Sequence, residues 1–130
     1  MPFLAKSNNL SIFIVQVDQN NPNIISFDIS WENHWYYGPD FHDAAWVFVK
    51  YKPSNGYQWL HADIKAVPNV GNNNQADIPN DKKGFFYGTN HNVTDYWQGN
   101  YAQNLTVELE NLQGFGHSFK VFGVEMVYAP

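Results

Sequence analysis

Three features of this 130-residue sequence predict an all-β fold, an antiparallel β-sandwich of jelly-roll or immunoglobulin-like type with about seven strands and an aromatic-rich core. Aromatic residues make up 18% of the chain, far more than a disordered segment carries. Seventeen asparagines punctuate it, and asparagine favours turns because it tolerates left-handed backbone. Between those punctuation marks, apolar and polar residues alternate with the period of a strand, and no stretch holds a convincing helical period.

Ser11 to Asp18 is β-branched and aromatic, and Asn20-Asn21-Pro22-Asn23 breaks it as a turn. From Ile24 to Asn33 the alternation is clean: Ile25, Phe27, Ile29 and Trp31 face one way, Ser26, Asp28, Ser30 and Glu32 the other. His34 to His42 reads as a loop with Gly38-Pro39 at its corner. Ala44 to Lys52 follows, with Trp46 and Phe48 on one side and Ala45, Val47, Val49 and Tyr51 on the other; apolar on both sides, it is expected to be central and covered twice. Pro53-Ser54-Asn55-Gly56 signals a tight turn, which makes Tyr57 to Ile64 its hairpin partner. Val67 to Lys83 reads as a long surface loop with room for a short edge strand, and Gly84 to Gly88 as a short strand. Thr89 to Gly99 is a second loop, and Asn104 to Leu112 alternates with Leu105, Val107 and Leu109 inward. After the Gln113-Gly114-Phe115-Gly116 turn, Ser118 to Tyr128 is the last strand, with Gly123 marking a bulge or a close approach.

Such faces must meet another sheet. Burying one indole withdraws on the order of 150–250 Å² from water, roughly 4–6 kcal/mol as an upper bound. Trp31, Trp46 and Trp59 are therefore the expected core anchors. The organisation expected is one domain, residues 10–130, preceded by an N-terminal arm, residues 1–9, whose Phe3 and Leu4 have no obvious home.

Composition excludes several classes. There are no cysteines, hence no disulfides, thiolate metal sites or cysteine nucleophiles. The net charge is −5, and the basic residues are scattered singly apart from Lys82-Lys83, which argues against nucleic acid and anionic membranes. The longest apolar run, Ala44 to Val49, has six residues, far short of a membrane-spanning helix. Met1 to Lys6 lacks the apolar core of a secretion signal.

Three segments carry a resemblance: Ile25 to Trp35 (ISFDISWENHW), Asp43 to Tyr51 (DAAWVFVKY) with Trp59 downstream, and Phe119 to Pro130 (FKVFGVEMVYAP). Over residues 9–130 the chain resembles the bacterial β-domain that precedes the catalytic domain in some proteins of the formylglycine-generating-enzyme (sulfatase-modifying-factor) family. The resemblance implies an extracellular or cell-surface setting. It also implies that the catalytic domain, with its copper-binding cysteines, would begin where this chain ends, so that no catalytic residue carries over.

Of the side chains that could carry chemistry, the loop aromatics stand out: Trp35, Tyr36, Tyr37, Tyr96, Trp97 and Tyr101. Exposed rings anchor protein interfaces and stack on sugar faces, or they cap the open ends of a sandwich. His34, Asp40, His42 and Asp43 combine metal-binding side chains without the spacing of a known closed site, and Asp43 is expected to accept backbone N–H groups at the loop–strand junction. Asp77 and Asp81, among asparagines, are weak calcium candidates without the ordered spacing of a calcium loop. Glu108 and Glu110 share the wet face of one strand, and His117-Ser118 has no third group. No phosphate-binding glycine loop occurs. Asn9, Asn92 and Asn104 begin glycosylation-type triplets that arise readily by chance in so asparagine-rich a chain.

The expectation is a non-catalytic structural or protein-interaction module, without cofactor, that self-assembles through edge strands and loop aromatics. The alternative is a glycan-binding module using exposed Trp and Tyr.

Overall fold

The computed structural model describes residues 9–31, 42–71, 74–89 and 100–128. Every regular element among them is a strand: β1 (Ser11–Val17), β2 (Ile24–Trp31), β3 (His42–Lys52), β4 (Leu60–His61), β5 (Asp63–Asn69), β6 (Asn74–Asp77), β7 (Phe85–Thr89), β8 (Asn100–Glu110) and β9 (Ser118–Tyr128). They form two antiparallel sheets. The first runs β1-β2-β8-β5. In the second, β9 pairs with β3 along all eleven residues of one flank. The other flank is shared by β7, opposite Ala45 to Val47, and β4, opposite Lys50 and Tyr51; β6 lies outside β7.

The inward rows interlock as the alternation requires. Ile25, Phe27, Ile29 and Trp31 of β2 and Leu105, Val107 and Leu109 of β8 meet Ala45, Val47, Val49 and Tyr51 of β3 and Phe85 and Tyr87 of β7. The Trp31 and Tyr87 rings meet edge to face at 6.0 Å, an arrangement the ring quadrupoles favour. The Tyr87 hydroxyl donates to Val70 O, and burial pushes the phenol well above its ordinary pKa.

Several expectations need correction. The expected all-β sandwich is the fold observed, with nine strands among the described residues where the sequence suggests about seven, and the corrections concern finer points. The segment expected to return as a hairpin pairs with β3 at Leu60 and His61, and the buried Ala62 N–H still donates to Val49 O at 2.9 Å; beyond it the chain turns, and β5 joins the other sheet beside β8. Alternation reports which face a residue presents, not which sheet the strand joins, and Leu60, Ala62 and Ile64 keep one rhythm through the corner. The 67–83 segment, read chiefly as loop, holds the end of β5 and the edge strand β6. Gly123 is no bulge, because the β9–β3 register is unbroken. It is a close approach: a Cβ there would sit 2.6 Å from Leu10 Cδ2. Trp46 and Trp59 are half-buried on the outward side of the second sheet, and only Trp31 of the three expected anchors is in the core.

Asp28 departs from the wet-face reading. It is 6% exposed, because β8 carries an extra residue where Phe27 pairs with Leu105 but Ile29 with Ala102. Asn104 takes up the bulge with φ +53°, and its N–H donates to Asp28 Oδ1 at 2.9 Å. The carboxylate thus satisfies a backbone group that the interrupted ladder leaves over.

Candidate functional site

The two sheets turn unlike faces outward. On the first, Ser26, Ser30, Thr106, Glu108 and Glu110 line the outward rows, and Lys65 pairs with Glu108 at 3.3 Å. This is an ordinary solvated face. On the second, residues opposite one another across β3 and β9 share the outward side. Ala44 is opposite Met126, Trp46 opposite Val124, Phe48 opposite Phe122, and Lys50 opposite Lys120. Phe86 of β7 joins the Trp46 row and His61 of β4 the Lys50 row. Phe48 stacks on both Phe122 (5.0 Å) and His61 (5.5 Å), and Trp46 lies 4.7 Å from Phe86.

This apolar stripe reaches water. Phe122 is 39% exposed, Val124 50% and Met126 40%. Every described strand belongs to one of the two sheets, so no third layer of described structure covers it. No described strand lies over the outward face of β3, which is central within its sheet; on that face Ala44 is buried and Trp46 and Phe48 are half-buried. A patch of this kind on a folded domain marks an interaction surface more often than chance exposure does.

Two sheet edges adjoin the stripe. The outer flank of β9 forms no ladder with a described strand, although Leu10 and Ile12, around the start of β1, lie against Gly123; Lys120 and Glu125 are the only charged residues of β9. β1 is the edge of the first sheet and exposes Phe13, Ile14, Val15 and Val17. It is interrupted by a bulge where Phe13 pairs with Asp28 but Gln16 with Ser26, and Ile14 takes φ +56°. A bulge twists an edge away from further pairing; β9 has none.

At the far end of the stripe the apolar rows give way to cations. Lys50 and Lys120 are cross-strand partners, Lys52 follows two residues on, and Trp59 lies beside them. Lys120 Nζ is 4.3 Å and Lys52 Nζ 5.3 Å from the Trp59 ring centroid. All seven basic residues of the chain are lysines. Of the six described, Lys65, Lys82 and Lys83 pair with Glu108, Glu110 and Asp63. Hydrogen bonds to Lys83 and Asn111 hold the Asp63 carboxyl below the usual carboxylate range. Among the described residues no carboxylate meets Lys50, Lys52 or Lys120. Reading along the chain misses this cluster, because Lys120 is brought to Lys50 only by the β3–β9 pairing.

The candidate positions named from sequence fall mostly elsewhere. Trp35, Tyr36, Tyr37, Tyr96 and Trp97 lie outside the described residues, as do His34 and Asp40. Tyr101 sits on β8 with its backbone opposite Ser30. Asp43, expected to accept backbone N–H groups, is buried and accepts the indole N–H of Trp31 at 3.0 Å, tying the two sheets together. Asp77 ends β6, exposed, and Asp81 accepts the backbone N–H of Lys83 at 3.2 Å. Among the described residues no three His, Asp or Glu side chains converge as metal ligands, and no helix is long and apolar enough to cross a membrane. An open depression beside the Asn20-Asn21 turn is lined by polar groups such as Gln16, Asp18 and Thr106. Comparison with protein-family models, curated proteins and solved structures finds no match to this chain.

Proposed function

We propose that this β-sandwich is a non-catalytic interaction module that associates with a second copy of itself through the outward face of β9 and the edge of β9 that no described strand pairs with. The observation that carries this reading is the juxtaposition of Phe122, Val124 and Met126, all exposed, with an unbulged edge eleven residues long. Edge-to-edge pairing of two β9 strands would extend the second sheet across both copies and satisfy a row of backbone groups. It would also bring two apolar stripes into one continuous surface.

Light scattering on a size-exclusion column, over a range of loading concentrations, tests the proposal. A mass rising towards that of a dimer, reversed by Val124→Lys or Met126→Lys with unchanged circular dichroism, is the expected result. A monomeric mass at every concentration, or association indifferent to both substitutions, overturns it.

A further inference from the structure

The three lysines around Trp59 have no counterpart elsewhere on the described surface. The chain carries a net charge of −5, and its other described lysines each sit against a carboxylate. Here Lys50 and Lys120 are placed opposite one another, a pairing of like charges that costs stability in a sheet. Lys52 adds a third positive charge, and two of the ammonium groups gather over a single indole. The negative face of the ring holds them there by cation–π attraction. What remains unanswered is the charge itself, and an anion bridging the ammonium groups would answer it.

We infer that Lys50, Lys52, Lys120 and Trp59 form a binding site for the anionic groups of an acidic polysaccharide. The shape of the site favours a polymer contacted from the side. It is an open platform on the outward face of three strands, bordered by the Phe48–His61 stack and by the turn in which Tyr57 is 99% exposed. Lysine suits dispersed anions, being a point charge on a flexible stem and lacking arginine's planar fork. A peptide would gain most from the backbone edge of β9, whereas these side chains lie on the sheet's face, where an extended peptide would leave its own N–H and C=O groups without ladder partners. A sugar chain carries hydroxyl groups that stay hydrated while its charged substituents reach the lysines, and its C–H faces suit the neighbouring rings. The inference does not depend on self-association, and a monomer leaves it standing.

Calorimetric titration of the full chain with polygalacturonate and with dextran sulfate separates carboxylated from sulfated sugars; neutral dextran, polyglutamate and a single-stranded oligonucleotide are the controls. The expected result is binding to at least one acidic polysaccharide and not to neutral dextran, with affinity falling steeply between about 50 and 200 mM salt. Replacing Lys50, Lys52 and Lys120 together with Ala should weaken it roughly tenfold or more, while the Lys82→Ala, Lys83→Ala pair should leave it unchanged. Trp59→Ala should weaken it as well; should that variant melt early, Lys120→Glu alone carries the test, because its side chain is exposed. Three results overturn the inference: no binding to either acidic polysaccharide, binding indifferent to the triple substitution, or equal loss from the Lys82, Lys83 pair. Polyglutamate or the oligonucleotide binding as tightly through the same lysines overturns the assignment to a sugar.

Discussion

The two outward faces of the sandwich are built on the same strand geometry and end as opposites. On the first sheet Lys65, Glu108 and their serine and threonine neighbours make a surface whose charges cancel pairwise. On the second, Trp46, Phe48, Phe86 and Phe122 make an aromatic stripe that ends in lysines paired with no described carboxylate. The inward faces do not differ in this way; both are apolar and packed against each other. The contrast teaches that the outward aromatics are not needed to hold the sheets together. Their retention at the surface is the feature a function has to explain.

The sharpest way to break this comparison is to set an inward ring against an outward one. Trp31→Ala removes a buried indole, its edge-to-face contact with Tyr87 and its hydrogen bond to Asp43, and should cost about 3–5 kcal/mol in urea unfolding. That is a large share of a domain's net stability. Phe122→Ser, on the outward side, should cost no more than about 1 kcal/mol. Equal losses would mean that the stripe is covered in the folded protein.

Next in size are two changes that test how the sheets are held in register. Asp28→Ala leaves the N–H of Asn104 without its acceptor at the bulge, an expected loss of about 1–3 kcal/mol in the same unfolding measurement. Gly84→Ala puts a Cβ 2.6 Å from Val47 O and from Trp46 Cζ2. It should cost about 1–3 kcal/mol and displace Trp46, which near-ultraviolet circular dichroism would register. An unchanged spectrum and melting point would show that the outward ring is not seated on this glycine.

The smallest effect concerns the ion pairs at the rim of the first sheet. The Asp63 carboxyl is held below its ordinary range by Lys83 and Asn111. A group whose folded-state pKa is lowered stabilises the fold above its unfolded value and loses that contribution as pH falls through the folded value. Melting temperature should therefore drop below about pH 4, and Asp63→Asn should flatten part of that decline while lowering stability slightly at neutral pH. Lys83 runs the other way: raised by the same carboxylate, it stabilises the fold at all pH values below its unfolded value and ceases to as pH rises through the folded one. A pH profile identical for the parent and the Asp63→Asn variant would remove the pair from the account.

Much of the fold is legible in the sequence, and the reason is local. Period-two alternation over Ile25 to Trp31 and Leu105 to Leu109 assigns each side chain to a face, and those faces are the ones buried. The last strand starts at Ser118, where the Gln113–Gly116 turn before it places the start. Partners are less legible. Nothing in Leu60-His61-Ala62-Asp63 says that the strand changes sheet at Ala62, since the alternation is the same on either side. The apolar doubling of Ala44 to Lys52 reads equally as a strand covered twice and as one whose outer side is only half-buried. Of the candidate site, the sequence places Trp59 in the core, and it does not reveal the lysine cluster because Lys120 lies seventy residues beyond Lys50 in the chain.

The ladder between β3 and β9 joins residues 42–52 to residues 118–128. Closing so long a loop precedes any reward from the pairing, which places this among slowly folding topologies. During synthesis β3 emerges well before its eleven-residue partner, with Trp46, Phe48 and one whole flank of backbone unprotected in the meantime. The nascent chain therefore passes through a stage in which its most adhesive strand waits for the last one made, and chaperone demand should be greatest in that interval.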